Sequence, residues 1–206
     1  MPNNSNGITV VPYHPRYKKD FQGLNKAWIT EMFTMEPQDY VDLENFENLL
    51  DQGGQIFFAL DAAPAPANEV PPAPANEVPT VHANEVPTVH ANEVPTVHAA
   101  ATGTGTAEKP GTVLACCMIA PMADGDWEIM KFAARGMASG RGAGSACLQA
   151  CLNYARDRGV DRVINVSNRK CAAAIHIYRK FGFQEIPVDK EKFPFERGDI
   201  AFELQL

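Results

Sequence analysis

A glycine-rich stretch in the second half of the chain has the residue types of a phosphate-binding loop. It stands between a predicted strand and a predicted helix, and its residues are Ser139, Gly140, Arg141, Gly142, Ala143, Gly144 and Ser145. Glycines let the backbone approach a ligand closely, and the first turn of a helix has unpaired N–H groups and the positive end of the helix dipole. The stretch therefore favours a phosphate or pyrophosphate, although a glycine-rich turn without a ligand would have the same composition.

Two other phosphate-binding motifs are excluded by spacing. The dinucleotide motif G-x-G-x-x-G needs a third glycine at 145 or 147, where the chain has Ser145 and Cys147. A P-loop needs Gly-Lys-Ser or Gly-Lys-Thr at the start of the helix, and this stretch lacks it.

The glycine stretch and a later block together resemble the GNAT acetyltransferases. S-G-R-G-A-G at 139–144 is similar to their CoA-pyrophosphate signature Q/R-x-x-G-x-G/A, with serine in place of the usual Gln or Arg. A-I-H-I-Y-R-K-F-G-F at 174–183 is similar to their block A-I-x-L-Y-x-K-x-G-F. The segments 21–40, 53–60 and 197–200 also resemble a bacterial-type GNAT subgroup, so the likeness covers most of the chain.

The resemblance implies roles for residues that match the family by position. The backbone of Phe132, Ala133 and Ala134 matches the segment that pairs with pantetheine, and 139–145 matches the pyrophosphate cradle, where Arg141 would supply the charge that Ser139 lacks. Tyr178 matches the tyrosine that serves as general acid to the departing CoA thiolate. The residues alone leave a second interpretation of Tyr178 open, as a core aromatic on the buried face of a helix.

Two further residues have a role and an alternative. Glu128 precedes Ala134 by six residues, which is the placement of the general-base glutamate in histone-type members, and a carboxylate could take the proton of an ammonium directly or through water. The alternative is an outward-facing strand glutamate. Asn168 fits a subgroup variant of an asparagine that contacts CoA; many members have that asparagine three positions later, at Cys171.

The resemblance implies an acetyl-CoA-dependent N-acetyltransferase that uses no metal. The acceptor would be an amine of a small molecule or a protein, attacking acetyl-CoA directly in a ternary complex. We expect the acceptor near Trp28, Glu31, Phe33, Glu36 and Tyr40. An alternative of another class is an inactive CoA-binding module whose repeat recruits partners.

Alternating strand and helix signals predict the mixed α/β domain that must position these residues. Predicted strands cover 8–13, 55–61, 112–120, 127–134, 162–166, 183–186 and 199–206. Predicted helices cover 17–33, 37–50, 142–158 and 171–181, the second with one face of Tyr40, Leu43, Phe46 and Leu50. The resemblance implies the GNAT fold, a mixed and mostly antiparallel sheet flanked by helices.

An octapeptide repeat interrupts this domain. ANEVPPAP at 67–74 is followed by three copies of ANEVPTVH at 75–98, between two predicted strands. Proline in every unit opposes helix and sheet, which predicts a disordered loop, spanning 62–110, inserted in a β-hairpin of a single domain 7–206. His82, His90 and His98 could tether a metal, but duplication alone also produces their spacing.

Composition limits the remaining function classes. The chain has 206 residues and a net charge of −7, but 62–110 has five acidic residues and one lysine and so contributes −4. The remainder is nearly balanced, so the net charge says little about the substrate. Arg156, Arg158 and Arg162 form a basic cluster without interleaved aromatics, which is typical of a solvated helix end, so no nucleic-acid partner is predicted. The longest apolar run, 113–120, is too short for a membrane span. The polar start MPNNSNG and five cysteines predict a cytoplasmic protein. Cys147 and Cys151 are four residues apart, which suits either the core-facing side of a helix or a metal or redox pair. The sequence leaves open whether the protein forms a homodimer.

Overall fold

The computed structural model describes residues 7–61, 111–136, 141–193 and 195–206, and within these ranges a seven-stranded sheet has the order β1-β2-β3-β4-β5-β7-β6. The strands are β1 (Ile8–Pro12), β2 (Gln55–Asp61), β3 (Val113–Pro121), β4 (Trp127–Ala134), β5 (Arg162–Ser167), β6 (Gln184–Ile186) and β7 (Ile200–Gln205). Neighbouring strands are antiparallel except β4 and β5, which are parallel. This mixed, mostly antiparallel sheet confirms the predicted fold class.

Helices cover both faces of the sheet. They are α1 (Lys18–Met32), α2 (Pro37–Asn45), α3 (Glu47–Asp51), α4 (Ala143–Arg156) and α5 (Ala172–Lys180). One core cluster joins the sheet to α1 and α2, and the other joins it to α4 and α5. Residues 113–120 of β3 are all buried because this central strand is covered on both faces. None of the described helices is long and apolar enough to cross a membrane.

The cysteines of α4 belong to the core on its sheet-facing side. Cys147 and Cys151 are fully buried, and their thiols donate to the carbonyl oxygens of Ala115 and Cys117 on β3. Among the described residues no group of three or more His, Cys, Asp or Glu side chains could hold a metal ion.

The predicted helix 37–50 is wrong in one respect, because it divides at Phe46. Phe46 is almost completely buried, and its ring centroid lies 4.6 Å from that of Phe21 on α1. Tyr40 is 54% exposed and does not share the buried face with Leu43. The residue before it, Asp39, is buried and its carboxylate pairs with the guanidinium of Arg197. Because Asp39 lies on the buried side of the helix, Tyr40 points outward.

Strands β2 and β3 stay paired up to the ends of the predicted insertion, which itself lies outside the described residues. The amide of Asp61 donates to the carbonyl of Thr112 at 2.9 Å, and the amide of Gly111 donates to the carbonyl of Asp61 at 2.7 Å. In a hairpin whose loop has two residues, the residue after the loop donates its N–H to the carbonyl of the residue before the loop, and the second bond has this arrangement. A two-residue connection could therefore join Asp61 to Gly111.

We predict that replacing residues 62–110 by Asn-Gly preserves or raises the Tm. The replacement removes no described contact, and shortening a 49-residue connection to two residues recovers about 2 to 3 kcal/mol of closure entropy by the logarithmic law. A thermal melt followed by circular dichroism would check this. Loss of the cooperative transition would instead show that the segment contributes to the fold.

Candidate active site

A cleft of about 870 Å³ opens where strands β4 and β5 separate. The two strands pair only at Trp127 with Val163 and at Glu128 with Ile164. Beyond Glu128 the β5-facing edge of β4 has no strand partner among the described residues. The cleft is lined from one face of the sheet by α1 and from the other by α5 and the first turn of α4.

A bulge in β4 turns its backbone at this point. Cys116 pairs with Ala133 and Met118 with Met130, so two residues of β4 lie opposite one residue of β3. Lys131 in the bulge has φ of +49°, and its Nζ lies 2.7 Å from the Asp42 carboxylate of α2. The following residues Phe132, Ala133 and Ala134, predicted to pair with pantetheine, line the cleft.

The first turn of α4 forms one end of the cleft. Gly142 is its N-cap with φ of +82°, and Ala143, Gly144 and Ser145 follow it along the lining. A Cβ on Gly142 would meet nothing within 4 Å, whereas a Cβ on Gly144 would lie 3.1 Å from the Phe132 ring. Open space beside the unpaired N–H groups of a helix suits an anion.

The rest of the predicted cradle is placed differently or lies outside the described residues. Ser139 and Gly140 lie outside them. Arg141 forms an ion pair with Asp61 at the end of β2, donates to the carbonyl of Gly7 at 3.2 Å, and does not line the cleft. The charge expected from Arg141 is therefore partnered by a carboxylate that is almost completely buried.

Tyr178 of α5 packs in the core and also lines the cleft, and its role as general acid stays a prediction. Its ring packs in the core, with centroids of Phe132, Phe183 and Phe202 at 5.9, 5.6 and 5.6 Å. Its side chain also lines the cleft and is 3% exposed. Burial raises the pKa of the Tyr178 hydroxyl well above its usual value of 10.0, so the hydroxyl keeps its proton at neutral pH.

Glu128 is buried, which excludes the outward-facing alternative. It is 9% exposed, and strand alternation places it with Met130 on the side of α1 and α2, opposite Tyr178. Burial raises the pKa of Glu128 to about 7, and Asp42 also raises it, while Lys131 and Lys192 lower it. A carboxyl group with this pKa can release and accept a proton near neutral pH.

The end of the cleft beside α1 contains three of the five predicted acceptor-site residues. Trp28, Glu31 and Phe33 line it, and the rings of Trp28 and Phe33 meet edge to face at 5.9 Å. Glu36 and Tyr40 do not line it. Phe195 does, although sequence reasoning missed it, because nothing local in the sequence indicates that the segment between β6 and β7 returns to the cleft.

An ion pair holds that segment against α2. The guanidinium of Arg197 reaches Glu36 at 2.9 Å and both carboxylate oxygens of Asp39 at 2.8 and 2.5 Å. The Asn168 side chain donates to the carbonyl of Arg197 at 2.6 Å and accepts from the amide of Lys170 at 2.8 Å. Asn168 lines the cleft, as expected for a ligand contact, but its amide already has these two partners.

The comparison with protein families decides which family this site represents. The model of the Acetyltransferase (GNAT) family matches residues 76–183, which is more than half of the chain. The chain belongs to the GNAT acetyltransferase family. The match includes the α4 first turn, Glu128 and Tyr178, and it confirms the resemblance found in the sequence. A search of the curated proteins finds no match.

Solved structures described as acetyltransferases have the same fold at low sequence identity. A GNAT acetyltransferase of Staphylococcus aureus Mu50 has a TM-score of 0.66 and 14% identity, over 97% of this chain and 99% of that chain. The PaiA N-acetyltransferase of Thermoplasma acidophilum, in complex with coenzyme A, has 0.56 and 10%, over 97% and 99%. YncA of Salmonella typhimurium, with acetyl-CoA, has 0.58 and 13%, over 97% and 94%.

Proposed function

We propose that this protein is an acetyl-CoA-dependent N-acetyltransferase that acetylates an amine in a ternary complex. One observation carries the proposal: Glu128 and Tyr178 line a single cleft from opposite faces of the sheet. The first turn of α4 lies on the same cleft, so an anion-binding group and two proton-carrying groups converge there. The CoA and acetyl-CoA present in the two structural neighbours from Thermoplasma acidophilum and Salmonella typhimurium support this choice of cosubstrate.

In this proposal the α4 turn, at Gly142 and Gly144, binds the pyrophosphate through its unpaired N–H groups. The unpaired edge of β4 at residues 132–134 pairs with the pantetheine arm. This arrangement directs the thioester towards the point where β4 and β5 separate. Asn168 would form part of the cleft wall, and its two hydrogen bonds already fix the position of its side chain.

Glu128 is the proposed general base. It takes a proton from the acceptor ammonium, directly or through water, and the amine nitrogen then attacks the thioester carbonyl carbon. As the new C–N bond forms and the C–S bond breaks, the sulfur leaves with the electron pair. The Tyr178 hydroxyl gives its proton to this sulfur, so CoA leaves as the thiol, and the tyrosinate regains a proton from water. The attacking nitrogen loses its second proton to water, which leaves the neutral amide, and Glu128 releases its proton to solvent before the next turnover. No step requires a metal.

The charges around the acceptor end of the cleft favour an acceptor molecule that has a cationic amine and no carboxylate close to that amine. Lys131 is paired with Asp42, and Arg197 is paired with Glu36 and Asp39, so these cations are already neutralised. Aromatic rings such as Trp28 attract a cation at the ring face. A small-molecule amine and a protein amino group both fit this description.

A cytoplasmic location of the protein stays a prediction from the sequence.

We predict that Gly142→Asp weakens acetyl-CoA binding by about 100-fold relative to Gly142→Asn. Both side chains tolerate the left-handed conformation and cap helices well, so the pair differs mainly in charge. A carboxylate about 5 Å from a phosphate charge costs about 3 kcal/mol at an effective dielectric constant of about 20. Titration calorimetry measures the two affinities. Equal affinities of the two variants would contradict a pyrophosphate at this turn.

The function itself is tested by acetyl-CoA turnover. We expect release of the CoA thiol to depend on an added amine, and mass spectrometry to detect the acetylated amine.

A further inference from the structure

Asn165 of β5 has a polar atom that the fold leaves without a partner. The residue is 1% exposed and lines the cleft. Among the described residues, its Oδ1 is the one buried side-chain oxygen or nitrogen with no hydrogen-bond partner. A buried acceptor without a donor destabilises a protein. A leucine of similar size would avoid this cost, so Asn165 indicates a donor that arrives with a ligand.

The nitrogen of the same side chain is already in use. Asn165 Nδ2 donates to the carbonyl of Val166 at 3.5 Å. Asn165 pairs with Phe202, whose ring packs against Tyr178, so both side chains lie on the α5 face of the sheet. Oδ1 therefore lies on the same face of the sheet as Tyr178 and in the same cleft.

We propose that Asn165 Oδ1 accepts a hydrogen bond from the amide N–H of acetyl-CoA nearest the thioester. The inference rests on the proposed function, in which the Tyr178 hydroxyl contacts the sulfur. In CoA two methylene groups separate the sulfur from this amide nitrogen, so an acceptor on the same face of the cleft as Tyr178 suits the N–H. The acceptor amine is a less suitable donor because Glu128 receives it from the opposite face of the sheet.

The test compares CoA with adenosine 3′,5′-bisphosphate, the part of CoA that lacks the pantetheine arm. We expect Asn165→Leu to weaken CoA binding by about tenfold or more, because the ligand N–H loses its acceptor, and to leave binding of the bisphosphate unchanged. The Tm of the ligand-free Asn165→Leu protein should stay equal or rise. Asn165→Ala, which cannot overpack the cleft, is measured beside it and should show the same difference between the two ligands.

Three results would overturn the inference. Wild-type affinity of both variants for CoA would show that Oδ1 binds nothing on the arm. Equal weakening of CoA and the bisphosphate, with a lower Tm, would show a structural role. A wild-type protein that binds no CoA would remove the proposed function and this inference together, so the two failures are distinguishable.

Discussion

Replacing Glu128 by glutamine should lower kcat/KM for the acceptor amine by about 10² to 10⁴-fold, the usual contribution of a general base. The substitution keeps the shape of the side chain and removes only its ability to take a proton. Because the pKa of Glu128 is about 7, the wild-type rate should rise as pH increases to about 7 and level off above it. This limb of the pH profile should be absent in Glu128→Gln. Steady-state kinetics across pH measures both effects.

The same substitution should stabilise the protein above neutral pH. Burial raises the folded-state pKa of Glu128 from 4.5 to about 7, so between these values the folded state binds a proton that the unfolded state releases. Stability therefore falls as pH rises through this range, by about 3 kcal/mol in all. Glutamine does not ionise, so Glu128→Gln should unfold at a higher temperature than wild type in alkaline buffer and at a similar one below pH 4.5.

A matched control for Glu128→Gln is Glu203→Gln. Glu203 is a β7 glutamate that pairs with Arg162 and does not line the cleft, so its substitution should leave kcat/KM and the limb near neutral pH unchanged. A Glu128→Gln variant that retains both the rate and the pH limb of wild type would rule out Glu128 as the base.

Tyr178→Phe should lower kcat by about tenfold to 10³-fold while acetyl-CoA affinity and Tm change little. Phenylalanine keeps the ring, and therefore its contacts with Phe132, Phe183 and Phe202, and removes only the hydroxyl. The effect should be smaller than for the base, because a thiolate is a fair leaving group. Burial raises the pKa of Tyr178 well above 10.0, so the hydroxyl keeps its proton until the sulfur leaves and should produce no pH limb near neutrality.

Tyr154→Phe is the matched control for this variant. The Tyr154 hydroxyl donates to the carbonyl of Gly53 at 2.9 Å, and Tyr154 does not line the cleft. Loss of that hydrogen bond should lower the Tm slightly without changing kcat. Equal kcat values for Tyr178→Phe and Tyr154→Phe would show that Tyr178 only packs.

Local signals predicted the parts of the site that local structure builds. The α4 turn at 142–145 and Tyr178 on α5 depend on spacing within one helix and its first turn, so a short motif determines their placement. Cys147 and Cys151 were predictable as a core face because residues four apart share one side of a helix.

Contacts between distant segments could not be predicted in this way. Arg141 was expected at the cradle, but its partner Asp61 lies 80 residues earlier on another strand. Arg197 meets Glu36 across 161 residues, and this pairing with α2 turns Asp39 inward and Tyr40 outward. The pKa of Glu128 likewise responds to Asp42 on α2 and Lys192 in the β6–β7 segment, and both are distant in sequence. Asn165 gave no signal at all, since an asparagine in a strand has many roles.

Thiol release from acetyl-CoA, measured with wild type across a panel of amines, tests the central claim most directly. The panel should include aliphatic diamines, aromatic amines, amino acids and lysine-containing peptides, with hydrolysis in the absence of amine subtracted. We predict amine-dependent release of CoA, with an equal amount of acetylated amine, that falls in Glu128→Gln and Tyr178→Phe and persists in Glu203→Gln. Tight binding of acetyl-CoA with no release above that of Glu128→Gln for any amine would contradict the account and favour an inactive CoA-binding module.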